Sequence, residues 1–177
     1  MASADTVSTI LARRSVRVYE PTPIPDDDLR VILEAARQAP SAANRQPLHF
    51  VVVRDPEQKR RVADAAAQQH WMARAGAIVV AAGFPARSAK WYAVDAAIAL
   101  QNLILAATSL GYGTCWVGAF TEAAIKEIVG LPEEARVVAL TPVGHPAERP
   151  AARPRKSIAE LFSLDRYGED PARALHL

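Results

Sequence analysis

The chain alternates between stretches whose apolar residues recur every third or fourth position and stretches of near-continuous valine, alanine and isoleucine. The first pattern predicts helices and the second predicts buried strands. From Thr6 to Arg13, Val7, Ile10 and Leu11 keep helical spacing, with Asp5 available as an N-cap. Pro21, Pro23 and Pro25 impose an extended link, after which DDDLRVILEAARQAP, residues 26–40, predicts a second helix with acids in its first turn and Pro40 at its end. The loop PSAANRQPL leads into HFVVVRD, residues 49–55, which suits a buried strand, and a third helix is predicted over residues 56–71. AIVVAAGF, residues 77–84, reads as a second strand. The long run AVDAAIALQNLILAATSLGYG, residues 93–113, is apolar on nearly every face. Asp95, Gln101, Asn102 and Thr108 interrupt that run and no second hydrophobic span accompanies it, so it predicts a core helix rather than a membrane span. Helices of this kind in small proteins often pack against a copy of themselves, which points to a dimer. GTCWVGAF (113–120) predicts a third strand, TEAAIKEIVGL (121–131) a capped amphipathic helix, ARVVALTPVGH (135–145) a fourth strand and KSIAELF (156–162) a short helix.

Length and composition narrow the classes. The 177 residues fit one domain spanning 1–177, with no repeat and no dividing linker. Lys and Arg number 21 against 19 Asp and Glu, a net charge of +2 that argues against a nucleic-acid partner. Cys115 is the only cysteine, so no disulfide closes within the chain, and a reducing, cytoplasmic setting is expected. The first fifteen residues lack the apolar core of a secretory signal. Alternating helix and strand by itself suggests a doubly wound parallel sheet. The glycines are wrong for the dinucleotide-binding version, because no Gly-x-Gly-x-x-Gly joins an early strand to its helix. His49, His70, His145 and His176 are scattered and none has metal-ligand spacing, and nothing local activates Ser15, Ser41 or Cys115 as a nucleophile.

Local chemistry is more informative than total charge. Arg13, Arg14, Ser15 and Arg17 concentrate three forked donors and a hydroxyl at a helix end. Guanidinium groups bind phosphate oxygens bidentately, but cations at a helix C-terminus also complement the macrodipole without any ligand. Arg153, Arg155 and Lys156, spaced by prolines, form a second basic cluster that either closes on the same anion or is a solvated loop. Between Pro40 and Pro47, the small residues Ser41, Ala42 and Ala43 and the amides Asn44 and Gln46 suit close approach to the edge of a flat heterocycle.

Taken in order, RRSVRVYEP, EAARQAPSAANRQPLHFVVV, DAAIALQNLILAATSLGYGTCWVGAF and PVGHPAERPAARPRK resemble the nitroreductase family of FMN-dependent oxidoreductases in its short form. The resemblance runs from Arg13 to Phe162. It implies an α+β three-layer sandwich with a mixed, mostly antiparallel sheet around a long buried central helix, in place of the doubly wound sheet. It further implies a homodimer with two FMN sites at the subunit interface. Carried over residue by residue, Arg13, Arg14 and Ser15 hold the phosphate and ribityl chain, Arg17 reaches toward the flavin ring, and Arg153 and Arg155 close over the phosphate. Pro40, Ser41, Ala42, Asn44 and Gln46 line the isoalloxazine from the other subunit. Val117 and Gly118 pass the reactive edge near flavin N5.

The implied chemistry is flavin-borne, with no catalytic side chain and no metal. NADH or NADPH gives hydride to N5, and a nitroaromatic, quinone or similar small-molecule acceptor then takes its place in a ping-pong cycle. A cation near N1 and the C2 carbonyl favours the reduced anion, a role for which Arg17 is the candidate. Reductive dehalogenation or flavin fragmentation on the same scaffold is one alternative. A non-enzymatic module for a phosphorylated metabolite is another. The region from His70 to Ala93 is short beside larger members, so the residues of a lid or substrate pocket are not assigned.

Overall fold

The computed structural model describes residues 6–171. Four strands, β1 (Leu48–Val53), β2 (Ala77–Gly83), β3 (Gly113–Thr114) and β4 (Arg136–Gly144), form one sheet in the order β1-β2-β4-β3, and every strand pairing is antiparallel. Among the described residues the one parallel pairing is a single bridge between Ser15 and Thr114. The doubly wound parallel sheet suggested by simple alternation is therefore not formed. Helices do alternate with strands in the sequence, but neighbouring strands in the sheet run in opposite directions.

All seven residues of β2 are buried, so the strand needs cover on both faces. Period-two alternation divides them. Ala77, Val79 and Ala81 pack with Leu29, Ile32 and Ala36 of α2 (Asp26–Arg37) and with Leu100, Leu103 and Ala107 of α4 (Tyr92–Ser109). Ile78 and Val80 face the other way, onto Val62 and Ala63 of α3 (Pro56–Ala65), Met72, and Ile125 of α5 (Glu122–Val129). Helices thus cover both faces of the sheet, in three layers. In β4 an irregularity opposite Ala81 and Ala82 skips Val138 and reverses the parity, so that Val137 and Leu140 both enter the α3/α5 core while Ala139 enters the other. Full burial of side chains such as Leu100 and Leu103 stabilises the α2/α4 layer by about 1.5–3 kcal/mol each.

The long helix α4 buries one face in this chain. Val94 and Ile98 on its other side are 45% and 39% exposed, although the helix is apolar and long enough to cross a membrane. On α1 (Thr6–Ala12) the apolar spacing is turned outward: Val7, Ile10 and Leu11 are all exposed and Thr9 is the buried residue. Asp5, expected as its cap, lies outside the described residues.

Two elements end earlier than their patterns suggest. The third helix stops at Ala65 rather than residue 71, because Ala67 and Gln68 adopt left-handed backbone and His70–Arg74 forms a 3-10 turn. Its terminal carbonyls find other donors: Thr121 N–H reaches Ala65 O at 2.8 Å and the Gln69 amide reaches Ala66 O at 2.9 Å. The third strand holds only two residues. Thr141 Oγ1 donates to Cys115 O at 3.0 Å, and Val117 rejoins the sheet in a reciprocal bridge to Leu140. Thr121 occupies the N-cap of α5 without a side-chain bond, while the neighbouring Glu122 carboxylate accepts from Val137 N at 2.9 Å.

Close packing where the chain ends meet the sheet depends on glycine. A Cβ on Gly144 would lie 2.8 Å from Gly76 N and 3.2 Å from Tyr19 Cδ1, whereas one on Gly118 would meet nothing within 4 Å. Gly144→Ala is therefore expected to destabilise the protein by about 1–3 kcal/mol through overpacking. Gly118→Ala should stay within about 0.5 kcal/mol of the parent. Denaturant midpoints measured on the two variants check both values.

Candidate functional site: an arginine cleft

Extended segment 15–20 is fastened between β3 and the chain after β4. Val16 N–H donates to Thr114 O at 2.9 Å, Glu20 N–H to His145 O at 2.9 Å, and Ala147 N–H returns to Val18 O at 2.9 Å. A side chain on Gly113 would collide with Val16 at 2.9 Å, so the glycine permits this approach. Tyr19 anchors the segment from inside: it is 1% exposed and its hydroxyl donates to Val16 O at 2.7 Å. Burial drives the Tyr19 phenol well above its ordinary pKa, so it remains a neutral donor.

This fastening brings the two basic clusters together. Arg13, Arg14, Ser15 and Arg17 share one cleft of about 530 Å³ with Arg153 and Arg155, whose segment folds back from the far end of the chain. None of the five guanidinium groups forms a salt bridge among the described residues, whereas Arg30, Arg37, Arg54 and Arg60 on the surface all do. Arg14 does what a helix-end cation does without a ligand, donating from Nη1 to Leu11 O at 2.6 Å. Arg17 lies 6.0 Å from the Trp71 ring centre, and among the described residues Arg155 bonds only to Arg153 O and Pro154 O of its own segment. Five like charges gathered this closely, with no salt bridge among the described residues, form a cationic cleft of the kind that suits an anion.

One carboxylate belongs to the cleft. Glu148 Oε1 accepts from Arg17 N at 2.5 Å and from Val18 N at 3.1 Å, spending its charge on main-chain donors. Sequence reasoning missed it. Its one signal was an acid inside an otherwise basic, proline-rich tail.

The loop Pro40–Gln46 does not line this cleft, and neither do Val117 and Gly118. Ala43, Asn44 and Gln46 all have φ near +50°, a left-handed conformation that non-glycine residues adopt only when their surroundings impose it. Those surroundings are visible: Ser41 Oγ accepts from Gln46 N at 3.0 Å, the Gln46 amide donates to Asn44 Oδ1 at 3.2 Å, and Ala42 N–H donates to the Asp95 carboxylate at 3.2 Å. Asp95 is 3% exposed in the first turn of α4, where the helix dipole favours an acid. Its part as a loop anchor was also missed, since a lone acid in an apolar helix looks from the sequence like a simple interruption. Val117 is buried, and Gly118 is exposed at the surface.

Cys115 lies close to the arginines, in a setting that disfavours the thiolate. It is 2% exposed, and burial pushes its thiol pKa up against the opposing pull of Arg17, the Ser15 hydroxyl and Arg13.

Comparison with known proteins agrees with this architecture. The profile described as Nitroreductase family matches residues 10–71 and 65–145, and the chain belongs to that family. A protein of Archaeoglobus fulgidus is 37% identical over 146 residues, covering 78% of this chain and 84% of its own length. The NADPH-flavin oxidoreductase of Vibrio harveyi is 32% identical over 181 residues, covering 93% of this chain and 75% of its own. The solved structure of a nitroreductase family protein from Clostridium novyi superposes with a TM-score of 0.78 at 35% identity, covering 94% of this chain and 97% of that one.

Because Cys115 is the sole thiol, its environment is open to a one-site test. Iodoacetamide at a mildly alkaline pH should add one adduct rapidly in denaturant and far more slowly to the native protein, read by intact mass. Equal rates would mean the thiol is neither buried nor raised in pKa.

Proposed function

We propose that this chain is an NAD(P)H-dependent FMN oxidoreductase that reduces nitroaromatics, quinones or related acceptors, working as a homodimer. The observation that carries the reading is the convergence of Arg13, Arg14, Ser15 and Arg17 with Arg153 and Arg155 in one cleft, with no salt bridge to these arginines among the described residues. Relatives of named activity point the same way: the Vibrio harveyi protein is an NADPH-flavin oxidoreductase, and a Bacillus subtilis protein 30% identical over 173 residues is an FMN reductase.

The residues fit a phosphorylated, planar cofactor. Five guanidinium groups and one hydroxyl suit a phosphate dianion, the cleft volume falls in the range of cofactor sites, and the space beyond the Gly118 α-carbon is open to a flat ring. Bound FMN would supply a carrier that accepts hydride from NADH or NADPH and delivers electrons to the acceptor. Arg13, Arg14, Ser15, Arg153 and Arg155 hold the phosphate end. Arg17 sets positive charge beside the pyrimidine edge of the ring, where reduction concentrates negative charge. Gly118 offers main chain to the reactive edge, with no β-carbon to obstruct it, and the reciprocal bridge of Val117 to Leu140 fixes the chain that leads to it. Pro40, Ser41, Ala42, Asn44 and Gln46 serve the second subunit's ring, with Asp95 and the internal bonds of the loop holding its strained backbone in place. With FMN held there, donor and acceptor would take turns at the same site, as a ping-pong cycle requires.

Support for the dimer comes from apolar surface. Val7, Ile10 and Leu11 on α1 are 58%, 51% and 69% exposed, and Val94 and Ile98 extend the apolar surface along α4. These helices contact one another, so the exposed side chains belong to neighbouring elements.

The deciding experiment is the visible spectrum after incubation with FMN and removal of unbound cofactor. A retained flavin band that bleaches on addition of NADH or NADPH is expected, and a colourless protein would refute the reading. Arg13→Ala or Arg155→Ala should each weaken FMN binding by about 1.5–3 kcal/mol, the usual loss for a charge-assisted hydrogen bond, measured by flavin fluorescence titration. Shared sites make a separate prediction. Arg13→Ala and Asn44→Ala chains, assayed at an FMN concentration too low to load either variant alone, then mixed and allowed to exchange, should regain about a quarter of the wild-type sites, because about half the dimers are mixed and each carries one intact site. No recovery despite confirmed subunit exchange would place both residues in the same chain's site.

A further inference from the structure

Beyond Ala147 the chain leaves the body of the protein, and one side chain marks the departure. Segment 16–20 is secured without Glu148, through Val16 to Thr114, Glu20 to His145, Ala147 to Val18, and the buried Tyr19 hydroxyl. The tail is not. Residues 151–156 are all exposed, and among the described residues the only hydrogen bonds within residues 149–156 are those of Arg155 to Arg153 O and Pro154 O. The double acceptance by Glu148 Oε1 of Arg17 N–H and Val18 N–H is thus the last attachment before the segment that carries Arg153 and Arg155. Pro150 and Pro154 stiffen the chain beyond this point, so the direction set at Glu148 is transmitted along an extended spacer of about 3 Å per residue.

We infer that Glu148 is a positioning residue for the phosphate site: its carboxylate clasps the main chain of Arg17 and Val18 and thereby aims Arg153 and Arg155 at the phosphate held by Arg13 and Ser15. The clasp acts through the tail and not through the flavin ring. Its position inside the cleft also places one negative charge among five positive ones, easing their repulsion before a ligand arrives. This inference rests on the FMN reading above.

FMN and riboflavin differ by the phosphate alone, which separates positioning of the tail from general support of the site. Titrations of the full-length protein with each flavin give the ratio of the two dissociation constants. Glu148→Ala should weaken FMN binding about tenfold, in line with the loss of a charged acceptor, and leave riboflavin within about threefold. Glu148→Gln, which keeps an oxygen acceptor in place, should restore most of the FMN affinity. In an Arg153→Ala/Arg155→Ala background the same Glu148→Ala change should add less than about twofold, since residues acting as one unit are not additive. If Glu148→Ala does not fold, Glu148→Asp, one methylene too short to bring its oxygen to the two donors, takes its place in each comparison. Equal loss of FMN and riboflavin, full additivity with the arginine pair, or unchanged FMN affinity would each overturn the inference. A parent protein that binds riboflavin and FMN equally removes the phosphate reading itself, and the inference with it, which the parent titration shows before any variant is made.

Discussion

The two-sided burial of β2 and β4 is the constraint on which the rest of the molecule depends. A strand with no exposed residue has to be covered above and below, and α2 with α4 supply one layer while α3 with α5 supply the other. Once both faces are occupied, additional chain has to run along the edges and ends of the sheet. Segment 15–20 and the stretch from His145 to Glu148 meet there and pair with each other, so residues near opposite ends of the sequence become neighbours.

That meeting is what turns two ordinary basic segments into one cationic cleft. Separately, each has a bland explanation, and Arg14 realises one of them by bonding the last turn of α1. Together they hold five guanidinium groups with a single carboxylate among them, and that carboxylate is committed to backbone donors. The loop Pro40–Gln46 adds a complementary kind of preparation. Its left-handed residues are sustained by hydrogen bonds within the chain, from Ser41, Asn44 and the buried Asp95.

Much of this was legible from residues. The valine and alanine runs located β1, β2 and β4, and the length and apolarity of residues 93–113 marked the central helix α4. The arginine pattern singled out, near both ends of the chain, the two segments that meet in one cleft. Other features were not legible, for identifiable reasons. Nothing between Ala66 and Trp71 is a glycine or proline, so the end of α3 left no local mark and was set by Thr121 and Gln69 reaching its carbonyls. Val7, Ile10 and Leu11 have the spacing of a buried face, and spacing alone does not distinguish burial within a chain from a surface left for another. Asp95 and Glu148 looked like interruptions because an anchor is recognised by its partners, which lie 53 and 131 residues away.

By itself, then, the sequence determined which segments are helical or extended, which residue types form the core, and where the cationic chemistry is concentrated, because periodicity, burial preference and charge are properties of neighbours along the chain. Only the tertiary structure decided that the strands run antiparallel, that the two basic segments share one cleft, and that Glu148 and Asp95 hold backbone rather than stand free. Those are long-range pairings, and their energy exists only when distant segments have been brought within hydrogen-bond reach.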